Sequence, residues 1–293
     1  KVTELIPFDL LRRQLLSVSS GPEAFLMLRQ NFAKSLACLS ISSYILGIGD
    51  RHLENFLLRQ TDASLIPIDF GCSFGIGISM LIYPELIPFR FSRQLTSVLA
   101  PLDKHSGLLS HTMIQCMSAL RNAESKELLL NTMEVFMNEK LLDWNSPGDA
   151  INEQEAESIN QERPTVGPWS NITRFRFHVA SAKLNGMHPI SLLSAELKLR
   201  EDGPRSSSFR YPYSPKVDDV LSVLEKHVRR QGSGSDPKLL LNLDPGEIMK
   251  TEDTKDNMEK LHITVPAQVQ SLISLATDPC ILMRQYAGLR TWI

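Results

Sequence analysis

Apolar residues recur at steps of three and four from Phe25 through Leu28, Phe32, Leu36 and Leu39, and the run stops at Gly47 and Gly49. This feature constrains the chain most. It demands a long helix, buried on one side, that ends at a fixed point and passes into a tight polar loop. The helix is predicted to start at an S-x-x-E capping box formed by Ser20 and Glu23 and to end near Leu46. The loop that follows reads Asp50-Arg51-His52-Leu53-Glu54-Asn55. Two short apolar stretches, Phe56-Leu57-Leu58 and Leu65-Ile66-Pro67-Ile68, then flank a polar turn, which predicts a β-hairpin with Asp69-Phe70-Gly71 leaving its second strand. Pro67 lacks an amide hydrogen and confines that strand to an edge.

From Phe89 to Phe136 the period is helical throughout: Leu95, Val98 and Leu99, then Met113, Cys116, Met117 and Leu120, then Leu128, Leu129, Met133 and Phe136. The predicted fold is mainly α with one small β-hairpin region. Residues 145–170 are polar and punctuated by Pro and Gly, which reads as a loop or a solvated helix. Helical character returns at 175–184, 189–199 and 217–228. Residues 231–262, rich in Gly, Ser, Asp and Lys, are predicted to be a flexible linker, and 263–293 a final helical unit.

The formal charge of −2, from 31 basic and 33 acidic residues, offers no electrostatic case for nucleic-acid binding by this chain itself. Cys38, Cys72, Cys116 and Cys280 stand far apart in sequence without a C-x-x-C pair, so neither a disulfide framework nor a zinc cage is expected, and a reducing compartment is. No secretory signal and no run of about 18 apolar residues is present, so no membrane partner is expected. The chain begins with Lys, so upstream sequence is expected.

The chemistry lies between Gly49 and Gly71. Asp50 stands five residues before Asn55, and Asp69 fourteen residues after it. Phosphoryl transfer asks little covalent work of a protein; it needs an oriented hydroxyl and phosphate charge neutralised by positioned Mg²⁺. An Asp on a rigid loop accepts the hydroxyl proton. An Asn carbonyl and an Asp carboxylate, brought from the two ends of a hairpin, are hard oxygen ligands that leave room for waters and substrate phosphates. D-F-G alone is weak, but D-x-x-x-x-N, an apolar hairpin and D-F-G in that order are a strong signature. In isolation Asp50 would read as a turn residue, Arg51 reads as a structural ion-pair former, and Phe70 as a core packer.

The order Asp50-Arg51-His52, with His after Asp, differs from ordinary protein kinases and resembles the phosphatidylinositol 3-kinase superfamily with its related protein kinases. Pro84-Glu85-Leu86-Ile87-Pro88-Phe89-Arg90 is similar to the segment that closes the activation loop in those related kinases. Ser43 to His52, Pro22 to Leu26, Asn131 to Phe136 and Ala276 to Pro279 resemble the end-joining branch more than target-of-rapamycin-like members. Departures are Cys72 after D-F-G, Leu289 in place of Trp, and Ile293 as the last residue.

The resemblance implies an ATP- and Mg²⁺-dependent, non-specific Ser/Thr protein kinase of the nucleus, acting in DNA double-strand-break repair by non-homologous end joining. By position, Asp50 and His52 would be catalytic, and Asn55 and Asp69 would ligate Mg²⁺ and hold the cofactor. Phe70, Gly71, Cys72, Pro84, Glu85, Pro88, Phe89 and Arg90 would belong to the activation loop, 69–90. Residues 1–230 would be a kinase C-lobe and 263–293 a short C-terminal helical domain of the FATC type, whose aromatic tail, Tyr286 to Trp292, docks on the lobe. Substrates would be proteins with Ser or Thr followed by Gln; the Ku heterodimer and DNA ends would engage regions upstream. Between Cys72 and Phe89 no Lys or Arg occurs, which favours a protein hydroxyl over a polyanionic lipid head group. No Gly-rich hairpin or strand Lys of an N-lobe precedes the catalytic loop, so the isolated chain is expected to be inactive. An inactive kinase-fold scaffold, a target-of-rapamycin-like kinase and a lipid kinase are the alternatives.

Overall fold

The computed structural model describes residues 7–81, 83–138, 168–202, 215–232, 236–249 and 259–286. Helix α1 spans Leu10–Val18 and α2 the 25 residues Pro22–Leu46. The capping box is not what starts α2. Gly21 is the N-cap, no side chain caps the helix, and Pro22 occupies its first turn. Proline's fixed φ and missing N–H suit that position, so it sets the boundary in place of Ser20. The other end falls where the glycines put it: Gly47 is left-handed at φ 61° and its N–H donates to the Ser43 carbonyl. Phe32, Leu36, Ile41 and Ile45 form the buried stripe, and Phe25, Leu28 and Leu39 pack against the core from its margin.

Strands β1 (Phe56–Leu58) and β2 (Leu65–Pro67) pair antiparallel in the register Phe56 with Pro67, Leu57 with Ile66 and Leu58 with Leu65. Pro67 is tolerated because a two-stranded sheet has an open edge on each strand. The Leu65 N–H donates to the Ser35 hydroxyl, which pins the hairpin to α2. A short helix α3, Ile76–Met80, lies between β2 and the next long helices, where no helix was expected. Then α4 (Arg93–Leu99), α5 (Leu108–Arg121) and α6 (Ala123–Asn138) follow the predicted helical periods.

Most of the polar stretch 145–170 lies outside the described residues; its end belongs to α7, Pro168–Leu184. Helices α8 (Pro189–Asp202) and α9 (Val217–Gln231) come next. The linker reading of 231–262 differs from the structure, because Pro237–Leu241 and Pro245–Met249 form α10 and α11. Averaged composition hid an apolar cluster: Leu240, Leu243 and Ile248 are buried. Lys198 donates to the Leu241 and Leu243 carbonyls and Ser194 to that of Leu241, so this segment's backbone is held by α8. Residues 233–235 and 250–258 of the expected linker lie outside the described residues.

The chain ends its described part with α12 (Val265–Thr277) and α13 (Pro279–Tyr286). Val269, Leu272, Ile273 and Ala276 are buried on the same core as α2, α5 and α9, while Val265 packs at its margin. Backbone bonds fasten the unit as well: Phe91 N–H donates to Ala276 O at 3.0 Å and Ile263 N–H to Gly186 O at 2.8 Å. The expected aromatic tail, with Leu289, Trp292 and Ile293, lies beyond the described residues.

Candidate active site

Helix α2 delivers the loop 49–55, the candidate catalytic loop, and one arginine shapes it. Arg51 is only 2 % exposed. Its Nε donates to Gly49 O at 2.8 Å, Nη1 to Asn55 O at 3.1 Å and Ile68 O at 2.7 Å, and Nη2 to Asp69 O. One guanidinium thus gathers the start of the loop, its end, and the exit of β2. Burial lowers the Arg51 pKa, while the charges of Glu85, Asp50 and Asp69 oppose that shift. The expected ion-pair role is therefore corrected: what Arg51 holds directly is backbone, and its planar fork suits several carbonyls at once.

Asp50 has φ 55°, a left-handed backbone in a residue that is not glycine. Such a conformation costs about 1–3 kcal/mol and persists only where the surroundings enforce it. They do so at both peptide groups. The Asp50 carbonyl accepts from Asn55 Nδ2 at 2.7 Å and from the His52 N–H at 3.0 Å. Its N–H donates to both carboxylate oxygens of Glu85, at 3.0 and 3.1 Å. The side chain of Asp50 is 31% exposed. His52 Nδ1 accepts from the Glu54 N–H at 3.2 Å, which puts the ring proton on Nε2, 3.9 Å from Asp50 Oδ2.

Glu85 is the residue whose importance the sequence left unseen. It lay in the segment Pro84 to Arg90, but nothing in the motif says that its carboxylate is buried and turned back onto the catalytic loop. Gly49 and Gly77 make room for it: a Cβ on either would come within 2.0 or 2.6 Å of Glu85 Oε2. Burial pushes its carboxyl up to about 7, against the pull of Arg90 and the Asp50 N–H. The same burial pulls Arg90 down to about 10. Pro88 lines the cavity behind this segment, and Phe89 is buried beside Phe91.

The segment after Asp69 is zipped onto the loop by backbone bonds: Gly49 N–H to Cys72 O at 2.7 Å, Phe74 N–H to Leu46 O, and Gly75 N–H to Gly47 O, both at 2.9 Å. Cys72 is partly buried and its thiol is pushed up to about 12 by burial and by Glu85. Phe70 is not a core packer; it is 47 % exposed, with its ring 5.8 Å from the Arg51 guanidinium. The D-F-G phenylalanine leaves a two-stranded hairpin that has no layer above it among the described residues.

Asn55 and Asp69 are suitable metal ligands by type. Asn55 is 6 % exposed and uses its amide nitrogen on Asp50, which leaves Oδ1 as an acceptor. Asp69 is exposed, left-handed at φ 57°, and uses one oxygen, Oδ1, on the Gly71 N–H at 3.0 Å. The Asn55 carbonyl also accepts the Ile68 N–H at 3.0 Å, so the two backbones meet at the end of the hairpin. Among the described residues no cluster of three or more His, Cys, Asp or Glu is placed to hold a metal. A two-ligand site, completed by water and phosphate, suits Mg²⁺, which keeps much of its hydration.

Residues 2–146 match the family described as Phosphatidylinositol 3- and 4-kinase. DNA-dependent protein kinase catalytic subunits are similar over nearly all of this chain: that of Dictyostelium discoideum is 36% identical over 97% of it, that of Xenopus laevis 35% over 99%. The chain spans 6% of the length of each of those relatives. A probable serine/threonine-protein kinase of Dictyostelium discoideum is 34% identical over 50% of the chain. Given the Asp50-Arg51-His52 loop, the hairpin, the D-F-G and these similarities, residues 2–146 belong to the phosphatidylinositol 3- and 4-kinase family, and the chain is similar over nearly all its length to DNA-dependent protein kinase catalytic subunits.

Proposed function

We propose that this chain is the C-lobe of a protein kinase that moves the γ-phosphate of ATP to a Ser or Thr hydroxyl. The observation that carries this reading is the Arg51 clasp, which ties Gly49, Asn55, Ile68 and Asp69 into one end of the hairpin. In the proposed roles, Asp50 orients the substrate hydroxyl and accepts its proton. His52 is poorly suited to be that base, since Nδ1 already accepts a backbone N–H and Nε2 carries the proton. It instead offers an N–H beside Asp50, toward the carboxylate or a phosphate oxygen. Asn55 Oδ1 and Asp69 Oδ2 would hold Mg²⁺, which when bound neutralises phosphate charge. Residues 69–90 would be the activation loop and 263–293 the FATC-type unit.

A protein substrate is favoured by the absence of Lys and Arg between Cys72 and Phe89. The finer reading, Ser-Gln or Thr-Gln targets, a nuclear role in end joining, and contact with DNA ends and Ku through other parts of the protein, follows from the motif resemblance, and the relatives' names support its dependence on DNA and its protein substrates. No helix among the described residues is long and apolar enough to cross a membrane.

The test is Asp69→Asn and Asp50→Ala in the complete kinase, assayed with ATP, Mg²⁺ and a Ser-Gln peptide. Each is expected to lower kcat by about 10²–10⁴-fold with unchanged circular dichroism. Wild-type turnover in both variants would overturn the assignment, and an inactive wild type would favour an interaction scaffold.

A further inference from the structure

Cys38 and Cys116 are 78 residues apart in sequence, which is why spacing gave no hint of a pair, yet their Sγ atoms lie 3.5 Å apart. Cys38 sits on α2 and Cys116 on α5, and no other two described elements pack against each other as extensively. A disulfide needs its sulfurs at about 2.0 Å, so the closing movement is about 1.5 Å and lies within a side-chain rotation. The site is reachable from solvent, because Cys38 is exposed and Cys116 half-buried. The two remaining cysteines differ: Cys72 is enclosed behind the catalytic loop, and Cys280 is exposed with no cysteine beside it among the described residues.

We propose that Cys38 and Cys116 are a dithiol modification site that closes into a disulfide between α2 and α5 by exchange with small-molecule disulfides. The Cys38 thiolate attacks one sulfur of the reagent, forming a mixed disulfide and expelling one small thiolate. Cys116 gives its proton to solvent and attacks the Cys38 sulfur, closing the protein disulfide and expelling the second small thiolate. Two protein thiols are oxidised and one small disulfide is reduced to two thiols, so electrons balance without another oxidant. The order of attack follows from the surroundings. Burial and the neighbouring Cys38 push the Cys116 thiol up to about 11, so Cys38 is the better first nucleophile. Closure would tie α5 to the helix that ends in Gly47 and the catalytic loop.

The experiment treats the complete, natively folded kinase with 5,5′-dithiobis(2-nitrobenzoate), then maps its non-reduced peptides by mass spectrometry. The expected result is a Cys38–Cys116 linked peptide with no aryl group on either residue, while Cys280 keeps its aryl adduct. In Cys38→Ser the linked peptide vanishes, and Cys116, half-buried, is labelled more slowly than the exposed Cys280. Stable aryl adducts on both Cys38 and Cys116, or a link from either to Cys72 or Cys280, would overturn the proposal. None of these readouts uses kinase activity, so the result stands apart from the functional reading.

Discussion

The corner that carries the candidate site and the rear of the molecule, where α9 and α12 lie, are built by different means. Between Gly47 and Glu85, polar backbone is packed against polar backbone. All four non-glycine residues with positive φ among those described, Asp50, Ala63, Asp69 and Phe74, fall there. At the rear, α9 and α12 each give apolar side chains to one core, with Val220, Leu224, Leu272 and Ile273 all buried. One polar cluster links the two helices: Asp278 takes His227 Nδ1 at 2.5 Å, Arg230 Nη2 at 3.1 Å and the Cys280 N–H at 2.7 Å. A site that must hold Asp50 in an unfavourable conformation needs directional bonds, each with one correct geometry. A helix interface has many interchangeable contacts. Single-atom changes should therefore be far more costly at the front than at the rear.

The sharpest way to break this comparison uses two glycines with nearly the same backbone angle. Gly47 has φ 61° and Gly232 φ 60°. A Cβ on Gly47 would lie 2.3 Å from the Gly75 backbone nitrogen, whereas one on Gly232 meets nothing within 4 Å among the described residues. Gly47→Ala is expected to destabilise the fold by about 3–5 kcal/mol, conformational cost plus a backbone collision. Gly232→Ala should cost only about 1 kcal/mol. Urea unfolding of both variants checks this; equal losses would mean that backbone crowding at the front contributes nothing.

The same contrast explains what the sequence made legible. Periodicity marks surfaces, so α2, α4 to α6, α9 and α12 could be read from their apolar steps, and the hairpin from two apolar stretches around a polar turn. The Asp50, Asn55 and Asp69 spacing is local and stood out for that reason. What could not be read is made by distant partners. Glu85 reaches Asp50 across 35 residues, Arg51 bridges the entry of β1 and the exit of β2, and Cys38 meets Cys116 only once α2 and α5 pack. The segment 236–249 was hidden because six apolar residues diluted by Gly, Asp and Lys do not shift an averaged composition. Phe70 misled because an apolar residue after a strand is normally buried, and here no layer covers it.

At the rear, Asp278→Ala removes a partner of His227 and the side chain that caps the start of α13. The expected loss is about 2–3 kcal/mol, within the range for a buried pair broken on one side. Asp278→Asn, which can still cap, should lose less. Burial raises the Asp278 pKa, but the bonds from His227 and Cys280 and the Arg230 charge lower it more in sum. A lowered carboxylate contributes stability that is present above its ordinary value and is lost as pH falls below it. The alanine variant should thus show a shallower acid limb in thermal melts; an unchanged limb would remove Asp278 from this account.

The smallest effect expected lies back at the front, and it has the opposite pH sign. Glu85 is raised from an ordinary value of 4.5 to about 7, chiefly by burial. The folded protein then holds a proton that the unfolded chain has released, so stability is highest below about 4.5 and falls as pH rises toward 7. The steepest possible slope is about 1.4 kcal/mol per pH unit, and the charges of Arg90 and Arg51 that favour the ionised form make about 1–2 kcal/mol between pH 5.5 and 7 a reasonable amplitude. Glu85→Gln keeps an acceptor for the Asp50 N–H but cannot ionise. It should lose the fall seen in the wild type across that interval, leaving the opposite rise that burial of His188, lowered to about 4, contributes up to about pH 6.5, and should retain most turnover, whereas Glu85→Ala should lose turnover by freeing the Asp50 peptide. If Gln and Ala lowered kcat equally, the carboxylate charge rather than the hydrogen bond would be what positions Asp50. If the wild type and Glu85→Gln showed the same slope, Glu85 would be ionised throughout, and the charge of Arg90 would outweigh its burial.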